Sequence, residues 1–159
     1  MTHPLVLALG ICAVAAGLEG LLAGRGVKQC LVELRMPRLS PPLAVWIWIG
    51  VAYYAIGGVV LYRLLVLPPS GRRAAALSLM LIVLVLNAFW NCLFFRLRSL
   101  RLCFIAGLLY SLAAIGLLTL LFALDRIAAW CLLPYAAYLL YANVWTYAVW
   151  RANPTGPAT

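Results

Sequence analysis

Residues 133–154 read LPYAAYLLYANVWTYAVWRANP, and the nature of this run decides the fold. Its one charged residue is Arg151, near the end. It is long enough to cross a hydrocarbon core about 30 Å thick, which takes about 20 residues of helix. Tyr135, Tyr138, Ala142, Trp145 and Val149 fall at helical spacing and put rings on one face with a small residue among them. Tyr141, Trp145 and Trp150 begin a neighbouring row. A plain membrane anchor needs only Leu, Val and Ala, so the rings ask for a second role.

The rest of the chain resembles this segment in polarity. Of 159 residues 67% are hydrophobic and 9% are charged, and the mean hydropathy is +1.08, which places the chain among integral membrane proteins. Apolar runs at 5–24, 43–66, 74–95, 100–122 and 128–150 each suffice for one span. Backbone polar groups must be paired in lipid, and these runs are continuous rather than alternating, so helices are expected and a barrel is not. The expectation is an all-α integral membrane protein: one membrane domain, a five-transmembrane-helix bundle, with a long loop at 25–42 and a polar tail at 151–159. The opening MTHPLVLALGICAVAAG has no basic n-region and reads as a first span rather than a cleaved signal peptide.

The net charge of +9 arises mostly from residues that lie between the apolar runs or near their ends. They read as topology signals and headgroup contacts, not as a nucleic-acid surface. Arg25, Lys28, Arg35, Arg38, Arg96, Arg98, Arg101 and Arg151 fall on one side, and Arg63, Arg72, Arg73 and Arg126 on the other. That bias predicts the N-terminus outside and the C-terminus in the cytoplasm, with loop 25–42 cytoplasmic. A short amphipathic piece around Cys30 to Met36 is expected to lie in the interface. The cysteines (Cys12, Cys30, Cys92, Cys103, Cys131) have no CxxC or CxxxC spacing and imply neither a disulfide framework nor a metal site.

Catalytic constellations are nearly absent. With one His, His3, and three acids the chain offers no triad, no carboxylate pair and no metal-ligand set, so no catalytic residue is expected. Glu19 is the one acid inside a span and, being costly there, a functional candidate as a coupling acid. The plainer reading pairs it with water or a loop arginine such as Arg25. Asp125, just before the fifth span, suits a helix N-terminus. In the third span Asn87, Trp90, Asn91 and Phe94 share a face, and buried amides seek a neighbouring helix or a polar ligand. An interfacial aromatic belt accounts for Trp46, Trp130 and Trp150, near span ends, but not for Trp90, Tyr138 or Trp145. Aromatic faces opposed by small residues form a slot for a large planar ligand; ordinary helix packing is the alternative.

The Pro41-Pro42 pair before the second span, Asn87-x-x-Trp90 with Phe94-Phe95, and AAWCLLPYAAYLLYANVWTYAVWRAN at 128–153 together resemble the TspO/MBR family of tryptophan-rich sensory and translocator proteins. In that pattern Pro134 and Tyr135 match the fifth-helix Pro-Tyr, Tyr138 stands where a pocket Trp is found, and Ala142 matches a small-residue position of the sterol- and porphyrin-associated region. Asn153 matches the terminal Asn. Asn87, Trp90, Phe94 and Phe95 match on the third helix, Pro37, Pro41 and Pro42 in the loop, and Tyr54 on the second helix. The sequence departs where a Trp-rich loop segment reads Arg38, Leu39 and Ser40, where a second-helix Trp is Gly50, and where a fifth-helix Asn is Thr146.

The resemblance implies a five-span bundle, often a homodimer, whose pocket takes porphyrins such as haem or protoporphyrin, sterols in some members, and synthetic benzodiazepine-site ligands, with no obligatory cofactor. With Trp145 added from the stripe on the fifth span, it gives Tyr54, Asn87, Trp90, Phe94, Tyr135, Tyr138 and Ala142 as the ligand-binding set. Two other readings stand beside this receptor, sensor or transporter: a small proton-coupled exporter using Glu19, and a light-dependent porphyrin-degrading enzyme, the latter through the family alone.

Overall fold

The computed structural model describes residues 3–38 and 40–154. Leu39 and the end of the expected polar tail, 155–159, lie outside the described residues. The helices are α1 (Pro4–Ala23), α2 (Val27–Glu33), α3 (Leu43–Val66), α4 (Gly71–Asn91), α5 (Leu100–Leu124) and α6 (Arg126–Ala152), and α4 runs on into a π-helical turn at Cys92–Arg96. The five longer ones, counting α4 with its π-turn, are long and apolar enough to cross a membrane.

Capping explains why α4 and α6 outrun their apolar runs. Ser70 Oγ accepts the Arg73 N–H at 3.2 Å and starts α4 before its apolar stretch. The Arg73 guanidinium turns back to donate to the Leu64 and Leu65 carbonyls at 2.8 and 3.2 Å, closing the end of α3. Asp125 caps α6 as its position suggests, accepting from the Ile127 and Ala128 N–H groups at 3.0 and 3.1 Å. It also takes the Arg63 Nε–H at 2.7 Å. Burial pushes the Asp125 carboxyl up, but the Arg63 bond and the two backbone donors outweigh it and hold the group below the usual carboxylate range.

Each spanning helix packs on two principal neighbours in the cyclic order α1, α4, α5, α6, α3, so the helices form a closed ring. One end of the ring is filled. Leu61, Leu64, Leu117 and Leu121 are fully buried there, with Ala76, Ala128 and Ala129 between them letting backbones approach. On α1 the buried residues are small ones at helical spacing, Ala8, Cys12 and Ala15. Cys12 Sγ and Met80 Cε lie so near Gly57 that a Cβ there would sit 3.8 and 3.2 Å from them. The other end is ringed by aromatic and amide side chains around an open interior, and α2 sits over it.

The α2 segment does more than lie in an interface, as the sequence suggested for Cys30 to Met36. Cys30 and Leu34 are buried in the same cluster as Phe94 and Trp145, so the segment is docked on the helix ends. The π-turn helps to hold it. A π-turn spaces backbone hydrogen bonds one residue wider than α, which leaves carbonyl capacity free. The Phe94 carbonyl accepts the Cys30 thiol at 3.7 Å and the Trp90 carbonyl accepts the Cys103 thiol at 3.6 Å. All the cysteines are free.

Candidate functional site

The open half encloses a cavity of about 390 Å³ lined by every spanning helix and by α2. Its floor is a tyrosine cluster. Tyr110 and Tyr135 share a hydrogen bond of 2.7 Å between hydroxyls, and Tyr53 packs on Tyr135 with centroids 4.7 Å apart. Tyr138 lies 5.7 Å beyond Tyr135, so α6 presents its predicted stripe to the interior. Trp46 then meets both Tyr138, at 6.5 Å, and Trp145, at 4.9 Å, carrying the aromatic wall across to α3. Trp46 is thus a cavity wall and not the belt residue that its place near a helix end suggested. Trp130, 62% exposed, fits the lipid boundary.

Of the residues expected to bind ligand, Tyr54, Asn87, Trp90, Tyr135, Tyr138, Ala142 and Trp145 line the cavity, and so does Glu19. Phe94 is placed differently. It is fully buried behind the wall, stacked under Trp90 at 5.1 Å and against Trp145 at 5.5 Å, so it sets the plane of rings that face the cavity.

Glu19 is the centre of the polar wall. Tyr54 donates its hydroxyl to Glu19 Oε2 at 2.5 Å, Asn87 donates Nδ2–H to the same oxygen at 2.7 Å, and Asn91 donates to Oε1 at 3.1 Å. A second N–H of the Asn91 amide goes to the Asn87 carbonyl at 3.0 Å, which fixes its orientation. The stripe of amides on α4 thus serves the carboxylate of α1, with α3 supplying the third donor. Arg25 is not its partner: the ion pairs among the described residues are Arg63–Asp125 and Arg98–Glu33.

A smaller polar contact joins α5 to α6. Asn143 donates to Ser111 Oγ at 2.6 Å and to the Leu139 carbonyl at 2.9 Å, and Ser111 donates to the Gly107 carbonyl at 2.9 Å. Gly107 is required by this approach, because a Cβ there would lie 2.7 Å from Asn143 Oδ1. Position 146, where the resemblance implied an amide, is Thr, and Asn143 lines the cavity one turn earlier on the helix. Thr146 bonds instead to the Ala142 carbonyl at 2.7 Å.

The loop is clasped over the cavity by the end of α6. Asn153 accepts the Arg35 N–H at 2.9 Å, donates to the Arg35 carbonyl at 3.1 Å and is anchored on the Val149 carbonyl at 2.8 Å. Trp145 Nε1–H donates to Ser40 Oγ at 2.9 Å, so a residue of the altered loop segment holds a cavity-wall ring. The Arg98 guanidinium pairs with Glu33 at the end of α2. Hydrogen bonds from Gln29 and then Arg98 hold the Glu33 carboxyl below its usual range.

Against known families, the TspO/MBR model matches residues 8–151, nearly the whole chain. The chain belongs to the TspO/MBR family. No individually curated protein matches it. Membership and five spanning helices together make it a multi-pass integral membrane protein with a membrane sensor or transporter-like role. Within this TspO/MBR bundle the cavity-lining residues that sequence reading left out of the site include Trp46, Tyr53, Asn91, Gly107, Tyr110 and Asn143. Asn91 was visible on the Asn87 face. Gly107 and Tyr110 lie in a continuous apolar run whose periodicity marks no side as inward.

Proposed function

We propose that the protein is a non-catalytic membrane receptor, sensor or transporter-like protein that binds a flat hydrophobic ligand, a porphyrin such as haem or a sterol-like molecule, inside the helix ring. The supporting observation is the continuous aromatic wall Tyr135–Tyr138–Trp46–Trp145 facing a cavity of about 390 Å³, within the size range of small-molecule sites. Stacking on such rings favours planar molecules. The exposed basic residues of the covering loop, Arg25, Lys28, Arg35 and Arg38, would meet propionates at the cavity mouth. The distribution of basic residues supports placing the loop and the C-terminus on the cytoplasmic side.

The test is a fluorescence titration of detergent-solubilised protein with protoporphyrin. Quenching of Trp emission is expected, and Trp90→Ala combined with Tyr138→Ala should weaken binding by about tenfold or more, since each ring contributes about 1 kcal/mol beyond its area. Unchanged affinity in the double variant removes this site assignment.

A proton-coupled exporter using Glu19 is favoured by one observation, a carboxylate lining the cavity with no cationic partner among the described residues. It predicts that Glu19→Gln abolishes proton-driven export from proteoliposomes, and full export by that variant would dispose of it.

A further inference from the structure

Glu19 is the sole acid among the residues lining the cavity, and no Arg, Lys or His joins it there among the described residues. Its three hydrogen-bond partners, Tyr54, Asn87 and Asn91, are all neutral. A carboxylate offers about four acceptor positions, two on each oxygen. Tyr54 and Asn87 occupy those of Oε2, and Asn91 takes one on Oε1, which leaves one on Oε1 for a donor that enters the cavity. None of these donors carries a charge that could cancel one on the carboxylate. At membrane depth an ionised group is costly unless an opposite charge meets it. The same cavity carries the rings of Tyr53, Tyr54 and Trp90, whose faces attract cations.

We propose that Glu19 is the recognition point for a protonated amine carried by a flat hydrophobic ligand. The ammonium N–H donates to Glu19 Oε1. Tyr54, Asn87 and Asn91 hold the carboxylate still so that little ordering is needed on binding, and the aromatic wall takes the apolar body. The inference rests on the cavity reading above and adds to its ligands flat hydrophobic molecules bearing a positive charge beside the ring system.

Three probes of one shape separate the two readings: pyrenemethylamine, protonated at neutral pH, its neutral isostere pyrenemethanol, and pyrenecarboxylate. Each is titrated into the purified protein in non-ionic detergent, with energy transfer from Trp to pyrene as the readout and detergent micelles alone as the blank. The ammonium is expected to bind on the order of tenfold tighter than the alcohol, as a charge-assisted hydrogen bond gives, and the carboxylate more weakly than either. Glu19→Gln should erase the ammonium preference, so that ammonium and alcohol bind alike, and Glu19→Asp, which keeps the charge, should preserve the order. Equal wild-type affinity for ammonium and alcohol overturns the assignment while the cavity reading stands, as does a preference that survives in Glu19→Gln. Failure of all three probes to bind removes the cavity reading and the assignment with it. The wild-type comparison decides the matter even if the variants do not fold.

Discussion

The two ends of the helix ring are built from the same membrane-compatible helices and yet differ in kind. At one end, around Leu61, Leu64, Leu117 and Leu121, small residues let the helices close and aliphatic side chains fill the centre. At the other, Trp and Tyr rings and amides hold the helices apart around a cavity capped by α2. Every spanning helix crosses from one regime to the other along its length. On α1 the change falls between Ala15 and Glu19, on α3 between Tyr54 and Gly57, and on α4 between Leu84 and Asn87. On the proposed function, stability and recognition are assigned to opposite ends, so substitutions should separate them.

The largest effect is expected at the filled end. Leu121→Ala should lower stability by about 2 kcal/mol, the low end for such truncations, because in lipid the packing loss acts with little transfer term. Probe affinity should stay at the wild-type value, as read by thermal melting alongside a porphyrin titration. Loss of binding at unchanged stability would break the division. Gly107→Ala should follow, at about 1–2 kcal/mol, because its Cβ would lie 2.7 Å from Asn143 Oδ1 and must displace an amide of the cavity wall. Here both melting temperature and affinity should fall.

Asp125→Ala should cost about 1 kcal/mol through the lost α6 cap, with affinity intact. Because the Asp125 carboxyl is held below its unfolded value, its contribution is present above the unfolded pKa and is lost as pH falls through the folded one. Melting scans below about pH 4 should therefore flatten the difference between wild type and variant. The smallest effect concerns the clasp. Glu33 is likewise held low, so the Arg98–Glu33 pair persists above the unfolded pKa and releases as pH falls through the folded value. Measured against the intrinsic rate at each pH, protection of the α2 amides from hydrogen exchange should fall over that acid range, and Glu33→Gln should show the lower protection already at neutral pH.

Much of the architecture could be read directly from apolar run length, since the bilayer dictates about 20 residues per span whatever the packing. The site was legible where polar or aromatic residues interrupt an aliphatic background at helical spacing, as in Asn87, Trp90 and Asn91, or Tyr135, Tyr138 and Trp145. It was hidden where that contrast fails. Tyr110 is one ring in a long aliphatic run, and Gly107 matters through the space that it leaves beside Asn143. Trp46 sits at a depth where a lipid-facing belt and a cavity wall have the same sequence appearance, and only its contacts with Tyr138 and Trp145 distinguish them. Glu19 could be singled out as costly, but its partners come from α3 and α4, far along the chain, and no local pattern joins them.

The central claim, that the open end of the ring is a ligand cavity and not a packing defect, is tested most directly by filling it. Ala142 lines the cavity from α6, so Ala142→Phe should abolish the absorbance shift of added protoporphyrin while the melting temperature stays at or above the wild-type value. A variant that binds protoporphyrin as the wild type does, or that loses stability as though the site were already packed, would contradict the account.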